Sequence, residues 1–289
     1  MNARVVSRPL RSLLFVPATR PERFPKAFAA GADAVVLDLE DAVEASRKAD
    51  ARRIVGDWLV SALPSASTAT FVRVNAPGTQ WLDDDLAWLK ALGVAATHVH
   101  AVVVPKTETA DALVHVATAS ASPVLPLLET ARGIVKAVDV LSARAEIAAV
   151  LFGAEDLTAE LGIPRTLEGE ELLLARSRVV LAAAVAGVDP IDAVWTDFSA
   201  PGGLQRDATR AKALGFRGKM AIHPDQVAVI NEVFSPTAEE IAAARRLVEA
   251  DDRARAHGEG VLRLDDRMVD APVIKRARRV LALAERLRT

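Results

Sequence analysis

The sequence has 289 residues, 51% of them apolar, and a net charge of −2. That length suits one large domain or a barrel with an appendage, and so small a charge gives no general attraction to nucleic acid. The absence of cysteine excludes disulfides, thiolate metal sites and a cysteine nucleophile.

Taken in chain order, the arginine-bearing N-terminus leads into a short apolar run, Leu13–Pro17, too short for the core of a signal peptide. The longest uncharged apolar stretch, Val179–Val188, is far below the roughly 20 residues of a spanning helix, so no membrane partner is expected and the cytoplasm is the expected location. Short β-branched runs ending in polar residues then recur. They predict strands at Leu13–Val16, Ala34–Leu39, Thr70–Val74, Ala101–Val104, Pro123–Leu128, Ala148–Phe152, Asp192–Thr196 and Lys219–Ile222. Between them, apolar residues at three- and four-residue spacing predict helices over Pro21–Ala30, Ser46–Ala62, Leu82–Leu92, Thr109–Ala119, Gly133–Leu141, Glu170–Ala186 and Gly203–Leu214. Strand ends spaced by about 25–40 residues are near the ~30 per unit of an eight-fold repeat. Alternating strands and helices with nearly continuous apolar strands argue for a parallel sheet covered on both faces. The expected fold is α/β, a (β/α)8 TIM barrel over residues 1–234 with a C-terminal helical extension over 235–289. That extension starts at the capping pattern Thr237-Ala-Glu-Glu240, runs to about Ala256, passes an extended stretch at Val261–Leu264, and closes with a helix from Pro272 to about Arg288.

A barrel carries its site at the C-terminal ends of its strands. Reading those positions gives Asp38-Leu-Glu-Asp41, Arg73-Val-Asn75, Pro105-Lys106, Glu129-Thr-Ala-Arg132, Gly153-Ala-Glu-Asp156 and His223-Pro224. So many charges converging on one face are costly unless they pair or bind something; capping of the following helices and ion pairing is the structural alternative for each. Glu129 and Asp156 lie 27 residues apart, one βαβ unit, and are expected to point into the mouth from adjacent strands. Two carboxylates without a cysteine or histidine cluster suit Mg2+ or Mn2+. His98 and His100 precede the fourth strand at the opposite end and read as surface or core residues. Arg20, Arg23 and Lys26, beside the first strand's end and the helix start at Pro21, suit an anionic ligand such as coenzyme A, or form a solvated helix face.

The same residues carry a family resemblance. Leu14-Phe-Val-Pro-Ala-Thr-Arg-Pro-Glu-Arg23, Val36-Leu-Asp-Leu-Glu-Asp-Ala42, Val72-Arg-Val-Asn75, Pro105-Lys106, Leu128-Glu-Thr-Ala-Arg-Gly133, Phe152-Gly-Ala-Glu-Asp-Leu157 and Ala221-Ile-His-Pro224 closely resemble the citrate lyase β-subunit family, which includes citramalyl-CoA and malyl-CoA lyases. The match is ordered and runs from about Arg11 to Leu281. The resemblance implies Glu129 and Asp156 as Mg2+ ligands, Arg73 as the arginine on the oxygens of the reacting acid, and Asp38 as a carboxylate of the same site, with Lys106 beside it on the substrate. It also implies that Asp270, in Met268-Val-Asp-Ala-Pro272, is an acid/base supplied by a neighbouring subunit of a homo-oligomer, a trimer or a multiple of one. The chain departs from the family at Ala200-Pro-Gly-Gly203 and at Asp265-Asp266-Arg267, which bear on the loop over the acid group and on the surroundings of Asp270. Three readings follow: a free-standing lyase or synthase for a 3-hydroxyacyl-CoA thioester and an oxo acid, a citrate lyase β subunit working on an acyl-carrier-protein thioester, and a catalytically idle barrel for ligand binding or assembly.

Overall fold

The computed structural model describes residues 9–61, 68–200, 202–256, 262–264 and 267–288. Eight parallel strands close into a barrel in sequence order: β1 Ser12–Pro17, β2 Ala34–Asp38, β3 Ala69–Arg73, β4 Ala101–Val104, β5 Val124–Leu128, β6 Ala149–Phe152, β7 Asp189–Asp192 and β8 Gly218–Ala221, with β8 pairing back onto β1. The expected (β/α)8 architecture is what forms. Helices α1 Phe24–Phe28, α2 Lys48–Ser61, α3 Gln80–Ala91, α4 Ala110–Ser120, α5 Ala131–Val135, α6 Ala137–Leu141, α7 Glu155–Leu161, α8 Leu173–Ala186, α9 Gly203–Leu214 and α10 Pro224–Phe234 follow the strands.

The strand pattern divides the apolar residues into two cores, because successive side chains point to opposite faces. Leu13, Val36, Phe71, Leu125, Leu127, Leu151, Ile191 and Met220 form the smaller cluster inside the barrel. Leu14, Val35, Leu37, Val72, Val102, Val150 and Phe152, of opposite parity, pack outward against the helices. Continuing the inward parity by one step past each strand's last interior residue reaches Asp38 after Val36, Arg73 after Phe71, Glu129 after Leu127 and Gly153 after Leu151. Residue spacing alone therefore sends these groups to one end of the barrel.

Four sequence expectations are corrected. The seventh strand is Asp189–Asp192, not Asp192–Thr196. It pairs Asp189 with Ala149 and Asp192 with Lys219, so the buried aspartate ends the strand instead of starting it. The helix expected over Gly133–Leu141 is two short helices, broken at Lys136, whose ψ of 15° leaves the helical range. Helices α7 and α10 were not expected. The first is only seven residues long and starts within the acidic strand-end motif; the second opens on Pro224, which fits a first helical turn because its missing N–H is not needed there.

The chain divides into two compact units, one of them spanning Leu10–Phe234 and the other starting at Ser235. In the second unit, α11 Ala238–Ala256 and α12 Ala271–Arg286 flank a two-stranded antiparallel pair, β9 Leu262–Leu264 and β10 Arg267–Val269. Thr237 opens α11 with the expected reciprocal cap: Glu240 Oε2 accepts from Thr237 N–H at 2.8 Å and Thr237 Oγ1 accepts from Glu240 N–H at 3.1 Å. His257–Gly260, Val261, Asp265 and Asp266 lie outside the described residues. No helix among those described is long and apolar enough to cross a membrane.

Candidate active site

The site is built on the ends of β2, β3, β5 and β6. Asp38 and Arg73 are register partners on β2 and β3, and their side chains join as a two-pronged pair: Arg73 Nε donates to Oδ1 at 2.7 Å and Nη2 to Oδ2 at 2.6 Å. Arg73 Nη1 lies 2.9 Å from Glu40 Oε2, and the guanidinium also stands 5.3 Å from the Phe15 ring centre. Burial works against the charge of Arg73, but Asp38 and Glu40 outweigh it and hold the group protonated. Of the five guanidinium N–H groups, Asp38 takes one on Nε and one on Nη2, while Glu40 meets Nη1 as a charge contact without a hydrogen bond.

The loop after β2 is fixed from behind. Lys48, buried at the start of α2, donates to the carbonyls of Leu39 at 2.7 Å and Glu40 at 2.8 Å. Asp38 Oδ1 additionally accepts from Glu40 N–H at 2.9 Å. The loop after β3 is held by Asp85 of α3, whose Oδ2 accepts from both the backbone and side-chain amides of Asn75 at 2.7 Å, while Arg52 reaches its other oxygen at 2.9 Å. Neither Lys48 nor Asp85 carried a sequence signal, since each is a charged residue in a helix with no strand-end position. Glu40 and Asp41 stand in the acidic run after β2 and were legible as part of it.

Glu129 directly follows β5 and is 5% exposed. Its Oε1 accepts from Lys106 N–H at 2.8 Å. Burial, and next the negative charge of Asp156, push its carboxyl up to about 8. Gly153, across the β5–β6 pairing, makes the room: a Cβ there would stand 2.7 Å from Glu129 Oε2 and collide with Glu129 Cβ. Asp156 reaches the mouth from the first turn of α7, not from the strand itself as expected. Its Oδ2 is buried and accepts no hydrogen bond, while the Lys106 ammonium stands 3.3 Å away. Glu129 and Asp156 thus offer hard oxygen atoms with a lone pair to spare, a donor set that fits a small divalent cation taking one or two carboxylates and completing its shell with water. No group of three or more potential ligating side chains occurs among the described residues.

A cavity of about 430 Å³ opens over these groups, with Arg23, Asp38, Arg73, Glu129 and Asp156 in its lining. Of the other expected site residues, Lys106 is outside the cavity lining, with its ammonium turned to Glu40 and to the lining residues Asp41 and Asp156. Lys26 faces an adjoining cavity of about 310 Å³ shared with Arg23 and His223, and Arg20 is exposed on the helix approach. Asp270, in the second unit, is exposed and caps α12, its Oδ1 accepting from Val273 N–H at 3.2 Å. The two histidines near β4 have structural partners, His98 Nδ1 at 2.7 Å from Leu59 O and His100 Nδ1 accepting from Thr70 N–H at 3.1 Å.

Residues 11–224, from just before β1 to the start of α10, match the model of the family described as HpcH/HpaI aldolase/citrate lyase. The chain belongs to that family. Within it, the chain is similar to a citrate lyase subunit beta-like protein of Deinococcus radiodurans, 40% identical over 283 residues that cover 94% of this chain and 96% of the relative. A (3S)-malyl-CoA thioesterase of Cereibacter sphaeroides is 34% identical over 282 residues, covering 96% of each. Among solved structures, protein CitE from Mycobacterium tuberculosis in complex with magnesium, acetoacetate and coenzyme A is 35% identical with a TM-score of 0.78, covering 97% of this chain and 99% of that one. Membership of the HpcH/HpaI family makes the chain a carbon–carbon lyase of the citrate lyase β type. It also accounts for the seven motifs at the barrel mouth.

Proposed function

We propose that this HpcH/HpaI family member is a Mg2+-dependent lyase that cleaves or forms a C–C bond in a 3-hydroxyacyl-CoA thioester such as malyl-CoA or citramalyl-CoA, in the cytoplasm. The observation that carries the reading is the pairing of buried Glu129 with half-buried Asp156, whose Oδ2 is buried and accepts no hydrogen bond, beside a cavity that Arg73 also lines. Glu129 and Asp156 would hold the ion, and Mg2+ bound there supplies Lewis acidity to the hydroxyl oxygen that becomes a carbonyl. The protein's own groups do the rest. Arg73, locked by its two-pronged bond to Asp38 and its charge contact with Glu40, presents its remaining N–H groups to the carboxylate and developing carbonyl of the acid; a preorganised donor of this kind is worth about 3–4 kcal/mol. Apolar Phe15, Leu127 and Met220 in the lining keep water from that charge. Arg23, with Arg20 and Lys26 outside it, suits the phosphates of coenzyme A. Asp270 of a neighbouring copy in a homo-oligomer is assigned the proton transfer to and from the thioester's α-carbon.

Retro-Claisen cleavage of malyl-CoA gives acetyl-CoA and glyoxylate, with the hydroxyl proton removed and one delivered to the α-carbon. The likeness to a malyl-CoA thioesterase favours a second outcome at the same site, hydrolysis to malate and free coenzyme A. The test is a panel of malyl-, citramalyl- and citryl-thioesters, on coenzyme A and on an acyl carrier protein, with and without Mg2+, products identified by mass. Mg2+-dependent formation of an oxo acid from a coenzyme A thioester is expected. Turnover on the carrier protein alone would move the chain to a citrate lyase complex, and no turnover of any thioester would leave an idle barrel.

A further inference from the structure

Lys106 is held in an unusual way. Its φ of 48° puts a non-glycine residue in the left-handed region, and among the described residues only Ala121 shares that feature. Ala121 ends α4, a place where such a conformation is routine. Lys106 follows β4, inside the site. The turn it makes aims its backbone N–H at Glu129 Oε1, at 2.8 Å. The same residue sends its ammonium to 2.5 Å from Glu40 Oε1, 3.2 Å from Asp41 Oδ1 and 3.3 Å from Asp156 Oδ2. One residue therefore touches four carboxylates, the two of the candidate metal site and two of the loop after β2. Arg73 is committed to Asp38 and Glu40, so the charge standing against Asp156 is that of Lys106. The contact to Asp156 is a charge contact without a hydrogen bond, the kind that a more strongly bound cation displaces at little cost.

We propose that Lys106 is a stand-in cation, a positioning residue whose ammonium holds Asp156 in place until a divalent cation takes over that carboxylate. The inference rests on the reading of Glu129 and Asp156 as metal ligands and adds a role that their geometry alone does not assign. Its physical content is competition. A positive charge 3.3 Å from a ligand oxygen repels an arriving cation, so the ammonium lowers Mg2+ affinity while it stabilises the metal-free protein. A lysine that merely supported the loop would do the reverse: its removal would loosen the ligands and weaken Mg2+ binding.

The experiment uses the metal-free full chain and three variants. Lys106→Met keeps the stem without the charge, Lys106→Gly keeps the left-handed backbone without the side chain, and Lys106→Arg keeps the charge. Mg2+ binding is measured by calorimetry, and thermal unfolding with and without Mg2+. The Met and Gly variants are expected to bind Mg2+ about tenfold more tightly than the unchanged protein, to melt lower without metal, and to gain more from Mg2+ than it does, with the Arg variant close to the unchanged protein. Should one neutral variant fail to fold without metal, recovery by Mg2+ counts for the proposal and failure to recover in both neutral variants counts against it. Equal or weaker Mg2+ binding by the neutral variants overturns it while leaving the metal site intact. No Mg2+ binding by the unchanged protein overturns the metal site and this role with it.

Discussion

Glu129 concentrates the electrostatics of the site. Its carboxyl titrates near 8 in the folded, metal-free chain because burial and Asp156 disfavour its charge, against an ordinary value of 4.5. A carboxyl raised on folding stabilises the protein fully below its unfolded value and progressively less as pH rises through the folded one. Metal-free protein should therefore lose stability between about pH 4.5 and 8, and saturating Mg2+, which requires the ionised form, should recover it on the alkaline side. Glu129→Gln should flatten that slope in thermal melts and raise the metal-free melting temperature at pH 8, while abolishing Mg2+ binding. A variant that melts with the slope of the unchanged protein would remove Glu129 as its source. At this scale the sequence exposed Asp38, Arg73 and Glu129, because each continues the inward parity of its strand, and it exposed Asp156 and Lys106 only as members of strand-end motifs. It did not expose which were paired: the clamp of Asp38 and Glu40 on Arg73 depends on the register of β2 against β3.

Among the elements, β7, β8, α8 and α9 are joined by a buried ion network. Lys219 and Asp192 face outward from the barrel because Met220 and Ile191 face inward, and they meet Arg176 of α8 and Asp207 of α9. Arg176 pairs with Asp192 at 2.9 Å twice over and with Asp207 at 2.8 Å; Lys219 reaches both aspartates at 2.5 Å. Burial pushes the Asp207 carboxyl up, but Lys219 and Arg176 outweigh it and hold it below the usual range. Two cations against two anions leave no net buried charge, and removing one partner strands a carboxylate. Lys219→Met should cost roughly 3–5 kcal/mol in urea unfolding, whereas the double variant Lys219→Met/Asp207→Leu should recover a good part of it, because the loss comes from the unpaired charge. A double variant no more stable than the single would show that the pairing itself is worth that much. The network also explains the misplaced seventh strand. The sequence reads Asp192 as the start of the strand, whereas it ends it with a fully buried side chain, a position that the cations of α8 and β8 make tolerable.

For the whole molecule, the proposed role of Asp270 needs a second copy of the chain. Mixing Asp270→Asn with Glu129→Ala, each inactive alone, under conditions of subunit exchange should restore part of the lyase activity, since some mixed interfaces join an intact barrel to an intact Asp270. No recovery after exchange has been shown by mass would place Asp270 in its own subunit's chemistry or outside the chemistry. Asn caps a helix as well as Asp does, so Asp270→Asn keeps an acceptor for Val273 N–H, and unchanged helicity of the variant is the accompanying control.

By itself the sequence determined the closed barrel, seven of its eight strands to within about a residue or two, and the end of the barrel where the charges gather. Those follow from a two-residue alternation and a repeat of near-constant length, which are local properties of the chain. Tertiary structure decided what the charges do. The left-handed turn at Lys106, the space that Gly153 leaves for Glu129, the delivery of Asp156 by α7 and the buried aspartates of β7 and α9 all depend on atoms more than twenty residues away in most cases, such as Asp38 on Arg73 or Arg176 on Asp207. A one-dimensional pattern holds the positions of such groups but not their distances, and electrostatic energies are set by distance and burial.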